Sequence, residues 1–295
     1  MTNLSKYSWI NSAFVLIGGF MFLHFKVVDY GLSFFMLFPL AVGFTIGTHE
    51  KNQGVYSLIF GLLIFFGFLL AGALEGLVCV LMALPLFGLM VLLGNKIQKK
   101  YVKKEPNQSQ KLMLTITPIL LLLLLLINPI EQMLLPKPKV VTITNSILLD
   151  YSPELVFDEV KQMDKLDAEK PIGLQLGLPS PYKCELEADT IGAKRNCLFK
   201  NGKIIAEITK YEKGKILEMD VIEYTLTGRD WFEFIDAKYT FNKVNNQTRI
   251  TRTSSYKSIL NPRIYWQPLE SWGIEQEHKF VLNSLKKNLK EKYGN

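Results

Sequence analysis

Few residues of this chain are of types that do chemistry at neutral pH, and their spacing narrows the choice further. The histidines are His24, His49 and His278; the cysteines are Cys79, Cys184 and Cys197. They show no zinc-ligand spacing, and no glycine run has the form of a phosphate loop or dinucleotide fingerprint, so the sequence implies no metal and no cofactor. His24 and His49 stand at the ends of apolar runs, where an interfacial position is the simplest reading. His278 is different. It shares a helical stripe with Ile274, Val281, Leu282, Leu285 and Leu289, which turns its imidazole toward a buried face. Two roles are open there: a core histidine bonded to backbone or hydroxyl groups, or a polar contact to a bound ligand, since a neutral ring both donates and accepts.

The other candidates are apolar. Leu217, Met219 and Val221 share one face of a strand, Tyr239 and Phe241 one face of another, and Trp231, Phe232 and Phe234 fill the segment between. They form either a core or the wall of a pocket; the pocket candidates are His278, Trp231, Phe234, Met219, Tyr239, Phe241, Ile274, Val281 and Leu282. Arg249 and Arg252 fall on opposite faces of their strand, so at most one points inward, where it would suit a carboxylate or phosphate. Catalysis would need an acid/base pair, and only His278 with a nearby carboxylate or tyrosine offers one, so no catalytic residue is assigned and the expectation leans away from an enzyme. Cys184 and Cys197 flank the turn 189–192. If 188 pairs with 193 they lie directly opposite and can form a disulfide; if Gly192 bulges they face opposite sides.

Two kinds of sequence position these residues. Apolar runs at 9–25, 31–47, 55–73, 76–94 and 112–128 are almost free of charge. Each reaches ~26–28 Å as a helix, enough for a hydrocarbon core with snorkelling flanks. They predict a membrane bundle of about five spans in residues 1–130. Glu75 sits in a turn between Gly72 and Gly76 rather than at the bilayer centre, where a carboxylate costs ~2.5–3.5 kcal/mol. Gly43 and Gly47 are spaced for close helix packing. Asn128-Pro129 ends the last span, and 131–139, with Pro136 and Pro138, is a short linker.

The net charge of +7 is carried almost wholly by this half: residues 140–295 hold 23 basic and 22 acidic side chains. Most of the lysines of the first half fall between Lys96 and Lys111. That pattern is one of membrane orientation, not of a nucleic-acid face. It places the lysine loop in the cytoplasm and residues 140–295 outside, and the first run lacks the flanks of a removable signal peptide.

From Val140 the period changes. A strand through Leu149 is followed by Ser152-Pro153-Glu154, which caps a helix, and then by strands near 182–189, 193–200, 203–212, 215–227, 236–244 and 247–257. An amphipathic helix from about Pro268 to Lys292 closes the chain. The predicted fold is α+β of helix-grip type, a curved antiparallel sheet closed by a long C-terminal helix.

The residues of this half resemble a known group. Ser146-Ile147-Leu148-Leu149-Asp150-Tyr151-Ser152-Pro153-Glu154, Gly192-Ala193-Lys194-Arg195-Asn196-Cys197, Thr248-Arg249-Ile250-Thr251-Arg252-Thr253 and His278-Lys279-Phe280-Val281-Leu282 are similar to segments of the polyketide cyclase/dehydrase and lipid-transport (START-related, birch-pollen-allergen-like) superfamily. The resemblance covers about 140–290. It implies an apolar-ligand cavity and few transferable catalytic motifs. The expected function is therefore a membrane-anchored binding or transport module for a lipid or small hydrophobe. The alternatives are a cyclase, dehydratase or hydrolase using the same cavity, or an interaction protein with a filled core. The expected partners are the bilayer and a small apolar ligand, with no nucleic acid; the sequence names neither the ligand nor an oligomeric state.

Overall fold

The computed structural model describes residues 17–19, 21–22, 25, 27–46, 67, 77–101, 119, 122–135, 137–226 and 231–294. The chain forms two compact units, one of residues 1–137 with 259–266 and the other of 138–258 with 267–295.

In the first unit a π-helical turn, Ser33–Leu37, leads into α1, Phe38–Ile46. The wide turn has a local cause: the Phe38 N–H bonds back five residues to the Ser33 carbonyl, and Pro39 after it has no N–H to restore the four-residue pattern. Helix α2, Leu77–Tyr101, packs on α1. A side chain at Gly43 would overlap the Val91 carbonyl, and one at Gly94 would overlap the Leu40 carbonyl, so the two backbones nearly touch. Gly43 was visible in the sequence as half of a small-residue pair. Gly94, its counterpart across the contact, was not, because the pairing joins two separate runs. Gly94→Val is expected to lower the thermal midpoint of the purified protein by several degrees and Gly94→Ala by less; equal midpoints for both variants and the wild type would contradict this contact.

Helix α3, Leu122–Leu134, runs through Pro129 rather than stopping at Asn128-Pro129. Tertiary bonds override the breaker. The Glu131 carboxylate accepts the Leu32 and Ser33 N–H groups, Asn128 donates to Ser33 Oγ at 3.3 Å, and Gln132 donates to Asp29. Among the described residues one helix is long and apolar enough to cross a membrane, Leu77–Lys100, with a mean hydropathy of 2.6. It continues past the expected end at 94. The shorter apolar helices Ser33–Phe44 and Leu122–Leu134 fall on two further expected spans. The span at 55–73, most of that at 9–25, the turn at Glu75 and the loop lysines Lys103, Lys104 and Lys111 lie outside the described residues.

The second unit is a seven-stranded antiparallel sheet, in the order β1-β7-β6-β5-β4-β3-β2. Its strands are β1 (Val141–Leu149), β2 (Pro181–Leu186), β3 (Lys194–Phe199), β4 (Gly202–Glu212), β5 (Ile216–Tyr224), β6 (Phe232–Val244) and β7 (Gln247–Ser258). Between β1 and β2 lie α4, Pro153–Lys161, and the single turn α5, Ile172–Gln175, which the Pro- and Gly-rich loop did not reveal. Ser152 caps α4 by accepting the Leu155 N–H, with Pro153 at the first position. Short turns join β3 to β4, β4 to β5 and β6 to β7; Gly202, Gly214 and Asn245 take the positive φ that such turns require.

Helix α6, Arg263–Tyr293, closes the unit. It starts five residues before Pro268, which is its sixth residue and removes the helical hydrogen bond that an N–H there would make to the Ile264 carbonyl. From β1 through the closing helix this is a helix-grip fold.

One irregularity decides what faces inward. Strand β6 has a bulge between Phe234 and Asp236, so even-numbered Phe232 and Phe234 and odd-numbered Tyr239 and Phe241 all turn toward the helix. The sequence, read with a strict period of two, started this strand at 236 and left the aromatic run outside it.

Cys184 pairs with Cys197 across β2 and β3, with Cα atoms 4.1 Å apart, and the two form a disulfide. Gly192 does take a positive φ of 85°, but its N–H bonds to the Ile208 carbonyl of β4 and the 188/193 register survives. Replacing both cysteines by serine is expected to cost about 2–3 kcal/mol, the loop-closure term for a short loop. Urea unfolding of the two proteins measures it; coincident midpoints would mean that the sheet alone holds this corner.

Candidate functional site

The interior between sheet and α6 is arranged in layers along the strands. On β7 the inward residues run Ile250, Arg252, Ser254, Tyr256; on β1 they run Leu149, Ile147, Asn145, Ile143, Val141. In both strands an apolar end, a polar middle and a second apolar end follow one another. Helix α6 matches them with Leu285, Leu282 and Val281, then His278 and Glu277, then Ile274.

The larger apolar layer is a closed core. It contains Val156, Phe157, Met163, Ile208, Leu217, Met219, Tyr239, Phe241, Ile250, Val281, Leu282 and Leu285, all buried. Phe157 sits at the middle, 5.3 Å from Phe241 and 5.1 Å from Tyr211 by ring centroids. The smaller layer is aromatic. Phe232 stacks on Tyr256 at 4.8 Å and meets Phe234 edge-on at 4.9 Å, and Tyr224 and Trp231 each lie 5.8 Å from one of these two rings. Ile274, Val141 and Ile143 complete it. Phe232 and Tyr256 are buried, whereas Tyr224, Trp231 and Phe234 are only half covered.

The nine sequence candidates thus do not form one wall. Met219, Tyr239, Phe241, Val281 and Leu282 belong to the closed core; Trp231, Phe234 and Ile274 belong to the aromatic layer; His278 lies between.

His278 is fully buried and both ring nitrogens have protein partners. Nδ1 lies 2.8 Å from Asn145 Oδ1, which can only accept, so Nδ1 carries the proton; Nε2 then accepts from Ser254 Oγ at 2.9 Å. Burial and the nearby Arg252 charge push its pKa down to about 2. Serine, histidine and asparagine in this order resemble the hydrogen-bond chain of a hydrolase. The resemblance is one of geometry alone: a base with a pKa of about 2 has almost no driving force to take a serine proton at neutral pH. Asn145, Ser254 and His278 form a hydrogen-bonded network in which both ring nitrogens have protein partners.

Two arginines flank Tyr239, with guanidinium carbons 5.8 Å (Arg195) and 5.5 Å (Arg252) from its ring centroid. Arg195, which the sequence did not single out, donates to the Val160 carbonyl at 2.9 Å and reaches the Lys161 carbonyl, closing the C-terminal end of α4. Burial lowers its pKa below the ordinary arginine value. Arg252 is the inward member of the Arg249/Arg252 pair. Its Nη2 lies 2.9 Å and 3.1 Å from the two oxygens of Glu277. Burial opposes its charge, yet Glu277 and Tyr239 hold its pKa above the ordinary value. Among the described residues its buried Nε and Nη1 have no hydrogen-bond partner. An acidic residue facing Arg252 from α6 was the signal that could have marked this pair in the sequence: Glu277 precedes His278 on the helix.

Comparison with solved structures gives matches at low sequence identity. The Aha1 dimer from Colwellia psychrerythraea is 16% identical, with 52% of this chain and 98% of that chain covered and a TM-score of 0.34. Norcoclaurine synthase from Thalictrum flavum, solved with dopamine and hydroxybenzaldehyde, is 12% identical, with 54% and 91% covered and a TM-score of 0.37. No family model matches the chain, and no curated protein matches it.

Proposed function

We propose that the chain is a membrane-anchored binding module for a lipid or another small apolar ligand, held at the aromatic end of the helix-grip unit. The observation that carries this reading is the half-open aromatic layer. Tyr224, Trp231 and Phe234 leave apolar surface uncovered beside buried Phe232 and Tyr256, and a polar layer separates them from the closed core. Contiguous aromatic surface of this kind is where an apolar molecule gains most from leaving water. The apolar helix Leu77–Lys100 and the lysines from Lys96 support anchoring with the lysine loop in the cytoplasm, and the Cys184–Cys197 disulfide supports an oxidising compartment for residues 140–295.

Full-length protein extracted from membranes in mild detergent should release apolar molecules identifiable by mass spectrometry, and Phe234→Asp should carry fewer of them at unchanged secondary structure. Equal recovery from wild type and variant would place any ligand elsewhere and defeat the reading.

A further inference from the structure

We infer that Ile259–Trp266, the connection from β7 into the first turn of α6, is an interfacial membrane element whose Ile264 side chain lies in lipid. Its partner is the bilayer surface. This rests on the membrane-anchored reading above and adds to the spans a segment from the far end of the sequence. Three observations lead to it.

The segment belongs to the first unit, with residues 1–137, and packs on its helices. The Asn261 N–H donates to the Tyr30 carbonyl at 3.2 Å, the Tyr265 hydroxyl donates to the Met82 carbonyl, and the Trp266 ring lies 4.6 Å from that of Phe35. Met82 is five residues past the start of α2, a helix long and apolar enough to cross a membrane. At 1.5 Å per residue the Tyr265 hydroxyl therefore meets that helix about 8 Å from its end, a depth typical of elements that lie in the interface. Tyrosine and tryptophan are the side chains enriched at that level.

Second, separate passages of the chain meet at one end of this unit. Ser33 and Leu32 are bonded to Glu131, Asp29 to Gln132, and Tyr30 to Asn261. Five spans would put residues 26–30, the start of α2 and the residues after 128 on the same side of the bilayer, the side expected for residues 140–295. Third, Ile264 is 88% exposed, whereas the other residues of 259–266 are buried or half-buried. Leu77, Leu81 and Leu84 are exposed as well, an i, i+4, i+7 stripe along the same end of α2. Lipid covers such a stripe on a spanning helix, and the tyrosine after Ile264 is bonded to that helix. An isoleucine bare to water forfeits its burial energy; in the acyl region it does not.

The test uses the full chain in phosphatidylcholine nanodiscs, with Cys79→Ala removing the free thiol and one new cysteine, Ile264→Cys or Leu92→Cys, carrying an environment-sensitive fluorophore. Leu92, exposed on α2, reports on the membrane reading itself. A nitroxide on the lipid acyl chain should quench most of the fluorescence at both positions, and aqueous iodide should quench little. Iodide quenching at 264 as strong as that by lipid, with Leu92 quenched by lipid, overturns the inference and leaves the spans standing. Protection of 264 from both quenchers also overturns it, because protein would then cover the residue. If lipid fails to quench at Leu92, it is the membrane reading which fails.

Discussion

Substituting His278→Phe is expected to remove about 2–4 kcal/mol of unfolding free energy at neutral pH. The phenyl ring fills the space of the imidazole but can neither donate to Asn145 Oδ1 nor accept from Ser254 Oγ, 2.8 Å and 2.9 Å away in the native protein. Each group left unbonded in a buried layer costs about 1–3 kcal/mol, with Asn145, which is only partly buried, at the low end. The loss should depend on pH. The folded protein holds His278 neutral down to a pKa of about 2, whereas the unfolded ring protonates near 6.5. Between those values the unfolded chain binds one more proton than the native state, so stability present above pH 6.5 is lost as pH falls, at up to ~1.4 kcal/mol per unit. Wild type should therefore lose about 2 kcal/mol more than the variant between pH 7 and pH 5. Urea titrations at the two pH values measure both effects, and parallel pH profiles for the two proteins would show that the ring is already hydrated and charged.

The second large effect is at the ion pair. Arg252→Met should cost about 3–5 kcal/mol, because it removes the cation paired with the Glu277 carboxylate of the closing helix, a side chain only 17% exposed. Adding Glu277→Gln removes that stranded charge and should restore much of the loss, although the double variant still lacks the pair. The prediction is thus a strong coupling in a double-mutant cycle, not merely a large single effect. Additive losses would mean that solvent screens the two groups from one another.

Both expectations rest on a polar layer that the sequence disclosed only in part. His278 was placed on the buried face by the spacing of Ile274, Val281 and Leu282, and Arg252 was separated from Arg249 by strand alternation; the structure has both as described. Neither argument could identify a partner. Asn145 and Glu277 are 107 and 25 residues from Arg252 in the chain, and Asn145 comes to face it only through the β1 to β7 register. Ser254 looked like an ordinary strand serine until that register set it opposite the helix. Arg195 carried no signal, since its partners are backbone carbonyls at the end of α4.

The same division runs through the fold. Local rules were enough for the cap at Ser152, for the tight turns at Gly202, Gly214 and Asn245, and for the order of strands and closing helix, because each depends on a few adjacent residues and on periodicity. They failed where distant segments overrule local preference. Pro129 lies inside a helix because Asn128, Glu131 and Gln132 are bonded to residues 29–33, and Phe232 and Phe234 belong to β6 because a bulge changes which parity faces the core. The disulfide is the clearest case. The sequence allowed two registers for Cys184 and Cys197, differing by one residue, and the choice was made by a third strand, where the Gly192 N–H meets the Ile208 carbonyl. Composition and period determined what kinds of element this chain makes and which faces they bury. Only tertiary packing decided which buried polar groups meet, because such meetings depend on register and helix placement, quantities set by the sum of many long-range contacts rather than by any one stretch of sequence.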